Sequence, residues 1–296
     1  IPFAGSFYNW LYYVFYGEIT KWILGVLSLG DAWLPTVTRL ITATGMIYGT
    51  WITARLFLEF PAAGDDNLKR LGLAFALLIF FGPLMGFFGI ATQPDIWGFA
   101  FDVTAIYVFL RFYERRPMVG IGLFCLFAYL AWSFKQIFVF STGTVGLFLL
   151  LRRDWKMLGI LIFLSVLAWG ATLALGTPQY VENIVTFGGV TVSLAWSQLL
   201  RNLGNAGIKL LPLLFGLAGV AAVMVRSNRF RDFMGNAVSS ITTKTPDTHF
   251  GLALLGSIVT SVLVIPASAK LGAAENSYFM FSFFFSLALL SALAKV

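Results

Sequence analysis

Between Gln93 and Gln136 the chain sets an acid and a base at matching ends of two apolar runs. The stretch reads Gln93-Pro94-Asp95, an apolar run to Leu110, a basic turn Arg111–Arg116, a second apolar run to Trp132, then Ser133-Phe134-Lys135-Gln136. If both runs cross a membrane as helices, Asp95 and Lys135 emerge at one face and the arginines at the other. Ionisable groups at the apolar boundary are costly to keep and mark functional positions. The competing reading is two interfacial charges that sit in water without a role. Asp102 lies about two turns down the same helix, where a carboxyl needs a partner or a water-filled cavity. It is otherwise protonated or hydrogen-bonded to a neighbouring helix. Arg39, about two turns into its own apolar run, likewise needs an anion or a cavity.

Composition fixes what must position these groups. The chain has 296 residues, 59% hydrophobic and 11% charged, against roughly 25% charged in an average soluble protein. Its mean hydropathy is +0.85. Repeated apolar runs of about 20 residues match a hydrocarbon core of about 30 Å at 1.5 Å per residue. A transmembrane barrel would show short alternating segments instead. The class is therefore all-α: a polytopic transmembrane helical bundle.

About nine spans are expected, near 33–60, 71–90, 96–112, 118–134, 137–151, 157–175, 210–226, 251–268 and 277–294, with interfacial helices besides. Together they make one transmembrane domain over 1–296. It comprises an interfacial segment (1–32), a first helical bundle (33–175), a loop (176–209) and the last three spans (210–296). Pro83 is expected to kink the second span, with neighbouring helices satisfying the freed carbonyl. The 176–209 stretch is expected to lie along the surface as short helices, with Trp196, Leu199 and Leu200 at the interface. His249 reads as a loop residue just ahead of a helix.

Several function classes are set aside. The net charge of +7 comes from basic residues scattered over short loops, so no nucleic-acid partner is implied. One cysteine (Cys125) and one histidine make a zinc or haem enzyme untenable. No G-x-x-x-x-G-K-[ST] or G-x-G-x-x-G stands in the chain, so nucleotide binding has no motif. No cofactor is expected, and a divalent metal has no paired-acid motif to support it.

Orientation follows from charge. Placing the loops at 55–70, 111–116, 152–156, 226–250 and 295 on one side collects 14 of the 20 lysines and arginines there. That side is cytoplasmic by the positive-inside rule. Asp95, Lys135, Arg201 and the 270–278 loop then face outward.

The outward corners resemble a known family, the GT-C superfold of integral-membrane glycosyltransferases. Its members include the protein O-mannosyltransferases and the lipid A aminoarabinose transferases. Their signals come in a fixed order: an aromatic segment after a proline, an Arg-bearing helix with small residues, a Pro-Asp corner and a Lys-bearing corner. Here these resemble Pro2-Phe3 with Tyr8-Asn9-Trp10-Leu11-Tyr12-Tyr13, then Arg39-Leu40-Ile41-Thr42-Ala43, then Gln93-Pro94-Asp95, then Ser133-Phe134-Lys135-Gln136. Gly272-Ala273-Ala274-Glu275-Asn276-Ser277-Tyr278-Phe279 resembles the Asn-Tyr corner late in bacterial members.

The resemblance implies sugar transfer from a polyprenyl-phosphate donor to an acceptor at the outer face of the inner (cytoplasmic) membrane. A carboxylate base activates the acceptor, and cationic groups hold the lipid phosphate as the leaving group. Lys135, a compact charge with three donors, suits that phosphate, with Arg39 and Arg201 as further candidates. Asp95, Gln136, Asp102, Asn276 and Tyr278 form the polar face of the site, Asp95 holding Lys135 or a sugar hydroxyl.

No catalytic residue is assigned. The family places that acid in the first outer loop, which is expected to precede Ile1, and Glu18 and Asp31 do not match its place. The chain is accordingly expected to begin partway into a longer protein. The rival readings are a non-catalytic structural subunit of a larger membrane complex, and a transporter or flippase. The latter is disfavoured because no internal repeat is seen and the charges avoid the midplane. Lipid, the lipid-linked sugar and protein partners are the expected company.

Overall fold

Helix boundaries follow the punctuation of the sequence. The computed structural model describes residues 8–61, 65–187, 195–226, 235, 238–243, 248–269 and 275–295. The expected Pro2-Phe3 signal and the Gly272–Ala274 start of the late corner lie outside the described residues. Among the described residues the chain is helical with no strand.

Two short helices, α1 (Trp10–Tyr13) and α2 (Ile19–Val26), are joined by a π-helical turn at Val14–Glu18. Then come α3 (Leu34–Glu59), α4 (Asp66–Phe81), α5 (Asp95–Phe112), α6 (Pro117–Phe134), α7 (Phe140–Leu151) and α8 (Trp155–Leu175). The C-terminal third holds α9 (Pro178–Val181), α10 (Trp196–Lys209), α11 (Leu211–Arg226), α12 (Thr248–Ala269) and α13 (Phe279–Leu293).

Local chemistry sets these ends. Asp65 caps α4 by accepting from Asn67 N (2.8 Å) and Leu68 N (3.1 Å), satisfying donors a helix start leaves open. Pro117 occupies the first turn of α6, where its missing N–H costs nothing. Pro83 does not kink a long span as expected. It follows Gly82, where α4 has already stopped with the Gly82 N–H on Leu78 O at 2.9 Å. His249 is likewise not in a loop: it sits in the first turn of α12, half-buried against Phe60.

Helices stand in all nine stretches expected to span, but they differ in crossing capacity. Four segments are long and apolar enough to cross a membrane: Pro117–Phe134, Trp155–Leu175, Thr248–Ala269 and Asn276–Leu293. The others are shorter or carry more charge. At 12 residues α7 is only about 18 Å long. The four differ in their surroundings: α8 exposes Phe163, Val166 and Leu167, whereas α13 is wrapped by other helices and most of its residues are buried.

One core joins the early and late helices. It contains Phe57, Phe80, Phe99, Phe109, Phe124 and Phe148 from the first half, with Phe250, Phe279, Phe283 and Phe284 from the second. Three glycines allow the close approaches this needs. A Cβ on Gly49 would meet Phe80 at 2.1 Å, on Gly256 would meet Phe284 at 2.3 Å, and on Gly251 would meet the Ser240 carbonyl at 2.2 Å.

At the end bearing Arg111, one loop arginine proves to be structural. Arg152 is buried, donating to Glu114 (3.2 Å), Thr248 (3.0 Å) and the Ser240 carbonyl (2.8 Å), with Phe148 under its guanidinium. It ties the α7–α8 turn to the start of α12. Burial holds its pKa below the usual arginine value, and Glu114 opposes that effect.

Candidate functional site

Among the described helices the most extensive packing is between α5 and α6, antiparallel neighbours because only a short basic turn separates them. Their other ends therefore meet. Asp95 is the first residue of α5, where the helix dipole favours a carboxylate. Lys135 follows the last turn of α6 with extended backbone (φ −155°, ψ 132°), which swings its side chain off the helix end. The result is a 2.8 Å bond from Lys135 Nζ to Asp95 Oδ1.

Asn276, on the turn Glu275–Tyr278 ahead of α13, donates its Nδ2 to the same oxygen at 2.6 Å. The second oxygen, Asp95 Oδ2, is buried and accepts no hydrogen bond from the described residues. Ion pairs are found elsewhere, but this one has side-chain exposures of 17% for Lys135 and 0% for Asp95, whereas every other described pair has a member at least 44% exposed. A pair so desolvated interacts strongly and is costly to break.

The N-terminal segment lies over this corner. Tyr8 puts its ring 5.6 Å from Lys135 Nζ, a cation–π contact. Asn9 is fully buried, donating to the Trp132 carbonyl at 2.6 Å and accepting from the Tyr180 hydroxyl. Tyr12 donates to the Thr92 carbonyl at 3.0 Å, and Tyr16 shares a 3.0 Å bond with Thr42. Burial pushes the Tyr12 phenol up to about 12, with Tyr8, Tyr13 and Asp95 adding to it, so it stays a donor at neutral pH. Sequence reasoning assigned Asn9 no role of its own. Its signal was a single amide in an otherwise aromatic run.

Two spaces flank the segment. An apolar groove of about 410 Å³ runs between α2 and α3, from Leu27 and Trp33 at its rim to Phe15 and Trp97. The Phe15 ring touches both Trp97 and Phe134, the residue before Lys135. A second cavity of about 390 Å³ lies among Trp10, Tyr129 and the α8–α9 turn.

Not every expected residue joins the corner. Gln136 is half-buried in the turn after Lys135. Asp102 is fully buried deeper on α5 and takes the Ser141 hydroxyl from α7, so it makes its own contact with a neighbouring helix. Tyr278 is buried and turned away, its hydroxyl 3.4 Å from Ser268 Oγ. Arg39 lies exposed on α3. Arg201 is exposed on α10, bonded to Gln198 at 2.7 Å, and none of its described contacts is with Asp95 or Lys135. Of the residues expected at the interface, Trp196 and Leu200 are exposed while Leu199 is buried. The 176–209 stretch does form helices, α9 and α10, where described.

Gly98, one turn beyond Asp95, sets the spacing of this corner. A Cβ there would meet the buried Phe138 ring at 2.3 Å, and Phe138 closes the turn on the Lys135 carbonyl at 3.2 Å. Gly98→Ala is expected to shift Phe138 and the Lys135 backbone with it. Overpacking of this kind costs about 1–3 kcal/mol. A thermal midpoint at least as high as wild type in detergent would contradict the assigned spacing role.

Comparison with known proteins finds no matching family model, no matching curated protein and no matching solved structure.

Proposed function

We propose that this chain is a membrane glycosyltransferase of the GT-C kind, moving a sugar from a polyprenyl-phosphate donor to an acceptor. The carrying observation is the Lys135–Asp95–Asn276 cluster, centred on the buried Asp95, beside an apolar groove. In this reading the polyprenyl chain enters through the groove and brings its phosphate to Lys135. Asp95 and Asn276 hold the ammonium in place. An acceptor hydroxyl attacks the anomeric carbon with inversion, the bond from that carbon to the phosphate oxygen breaks, and Lys135 stabilises the departing phosphate. The base that takes the hydroxyl proton is assigned to none of the described residues. Arg39 and Arg201 are left to later encounters with lipid phosphate or substrate, since both are exposed.

The same reading takes the helices in all nine expected stretches as crossings, the shorter ones extended by their flanking turns. It sets the Lys135 end outward and the Arg152 end toward the cytoplasm, in the inner membrane.

A second reading, a non-catalytic subunit built on this scaffold, is favoured by one observation. The carboxylate at the corner already engages Lys135 and Asn276, and Glu18 pairs with Lys21 at the surface. Radiolabelled sugar transfer from polyprenyl-phosphate donors, by the full-length protein in nanodiscs, decides between them. Transfer above an empty-nanodisc control is expected. Transfer absent with every donor–acceptor pair tested would favour the scaffold.

A further inference from the structure

We infer that the α5–α6 and α7–α8 turns together form a binding site for the head group of an anionic glycerophospholipid. The site lies at the end of the bundle away from Lys135 and does not rest on the transferase reading.

Two side-chain bonds build it. The Tyr113 hydroxyl donates to Asp154 at 2.8 Å, and Arg152 donates to Glu114 at 3.2 Å. Each bond runs from one turn to the other, so the turns are held side by side. Both acids are engaged in this joint. Asp154 also caps α8 by accepting from Met157 N at 3.4 Å, and Glu114 takes the Thr248 hydroxyl as well. Against these two acids stand five basic residues: Arg115, Arg116, Arg152, Arg153 and Lys156. Three positive charges are therefore in excess. Arg152 faces inward, while the other four are exposed and none makes an ion pair with a described residue.

Depth decides what these cations meet. Both α6 and α8 are long and apolar enough to cross a membrane, and the cations stand at their first residues. Arg116 immediately precedes Pro117, and Arg153 and Lys156 bracket the first turn's Trp155. Where the two helices cross, this level is the head-group region, and Trp155, 62% exposed, is the side chain that favours that boundary. Further along each helix, Met118 and Val119 on α6 and Ile162 and Phe163 on α8 expose apolar surface for acyl chains.

Electrostatics select the lipid. Basic pockets between transmembrane helices recognise anionic head groups, and the arginine fork matches phosphate oxygens. The positive dipole ends of α6 and α8 both point here and add to the same sign. A zwitterionic head group brings its own cation, which the excess positive charge opposes. A soluble anion would make no use of the apolar flank.

The test is native mass spectrometry of the full chain, titrated in detergent with phosphatidylglycerol or phosphatidylcholine of identical acyl chains. Wild type should bind phosphatidylglycerol roughly a hundredfold tighter, a factor of about five for each excess charge. Arg115→Gln/Arg116→Gln and Arg153→Asn/Lys156→Gln should each weaken phosphatidylglycerol roughly twentyfold and leave phosphatidylcholine unchanged. Asn is chosen because Arg153 has φ 55°, a left-handed conformation that Asn tolerates. The two pairs guard against one variant misfolding. Lys69→Gln/Arg70→Gln removes two positive charges at the start of α4 and should leave both affinities unchanged, as should Lys135→Ala. Equal binding of the two lipids by wild type, unchanged phosphatidylglycerol affinity in both turn variants, or an equal loss in the α4 variant would overturn the inference.

Discussion

Lys135→Ala is expected to lower sugar transfer from a polyprenyl-phosphate donor by about 10²–10³-fold, the usual consequence of removing one preorganised group at a developing anion. The effect should persist whether or not Asp95 is changed as well, because the lysine meets the phosphate and Asp95 only holds the lysine. Lys135→Arg should retain part of the rate: the guanidinium keeps the charge, but its planar fork presents its donors differently from a compact ammonium. Wild-type rates in a folded Lys135→Ala protein would remove the assigned role.

Asp95→Ala should produce the largest loss of stability. It leaves a mostly buried ammonium facing Asn276 and the Tyr8 ring, and breaking a buried pair from one side costs about 3–5 kcal/mol. The partial exposure of Lys135 moves the expectation to the lower end. The double variant Asp95→Ala/Lys135→Ala should melt higher than Asp95→Ala alone, since it removes the uncompensated charge. Equal or lower melting of the double variant would show that the pair is not the coupled unit described.

These two expectations come from a juxtaposition that the sequence made legible. Two apolar runs joined by Arg111–Arg116 can only return as antiparallel neighbours, so Asp95 and Lys135 had to meet. Asp102 was legible as a group in need of a partner, but nothing local marks Ser141 as that partner. Asn276 comes from 181 positions away and reaches Asp95 through the packing of α13 against α4, α5 and α12. Its exact register depends on that packing and not on spacing.

Arg152 went unnoticed for a related reason. A double arginine in a short turn reads as solvated, and only the fold brings Glu114, Thr248 and Ser240 around one of the two. Arg39 and Arg201 lie exposed on α3 and α10, and spacing alone does not say which way an arginine faces from its helix. Pro83 shows the reverse failure. Apolar residues continue past it, so hydropathy alone draws a span through a helix that Gly82 has already ended.

The central claim is that the Lys135 corner binds a lipid phosphate, and binding can be measured without knowing the sugar or the acceptor. Radiolabelled undecaprenyl phosphate would be titrated onto the wild-type protein and Lys135→Ala in nanodiscs, with undecaprenol as the uncharged control. Saturable binding of the phosphate by wild type, weakened at least tenfold in Lys135→Ala and far tighter than that of the alcohol, is the predicted result. Equal affinity in the two proteins, or equal affinity for phosphate and alcohol, would contradict it.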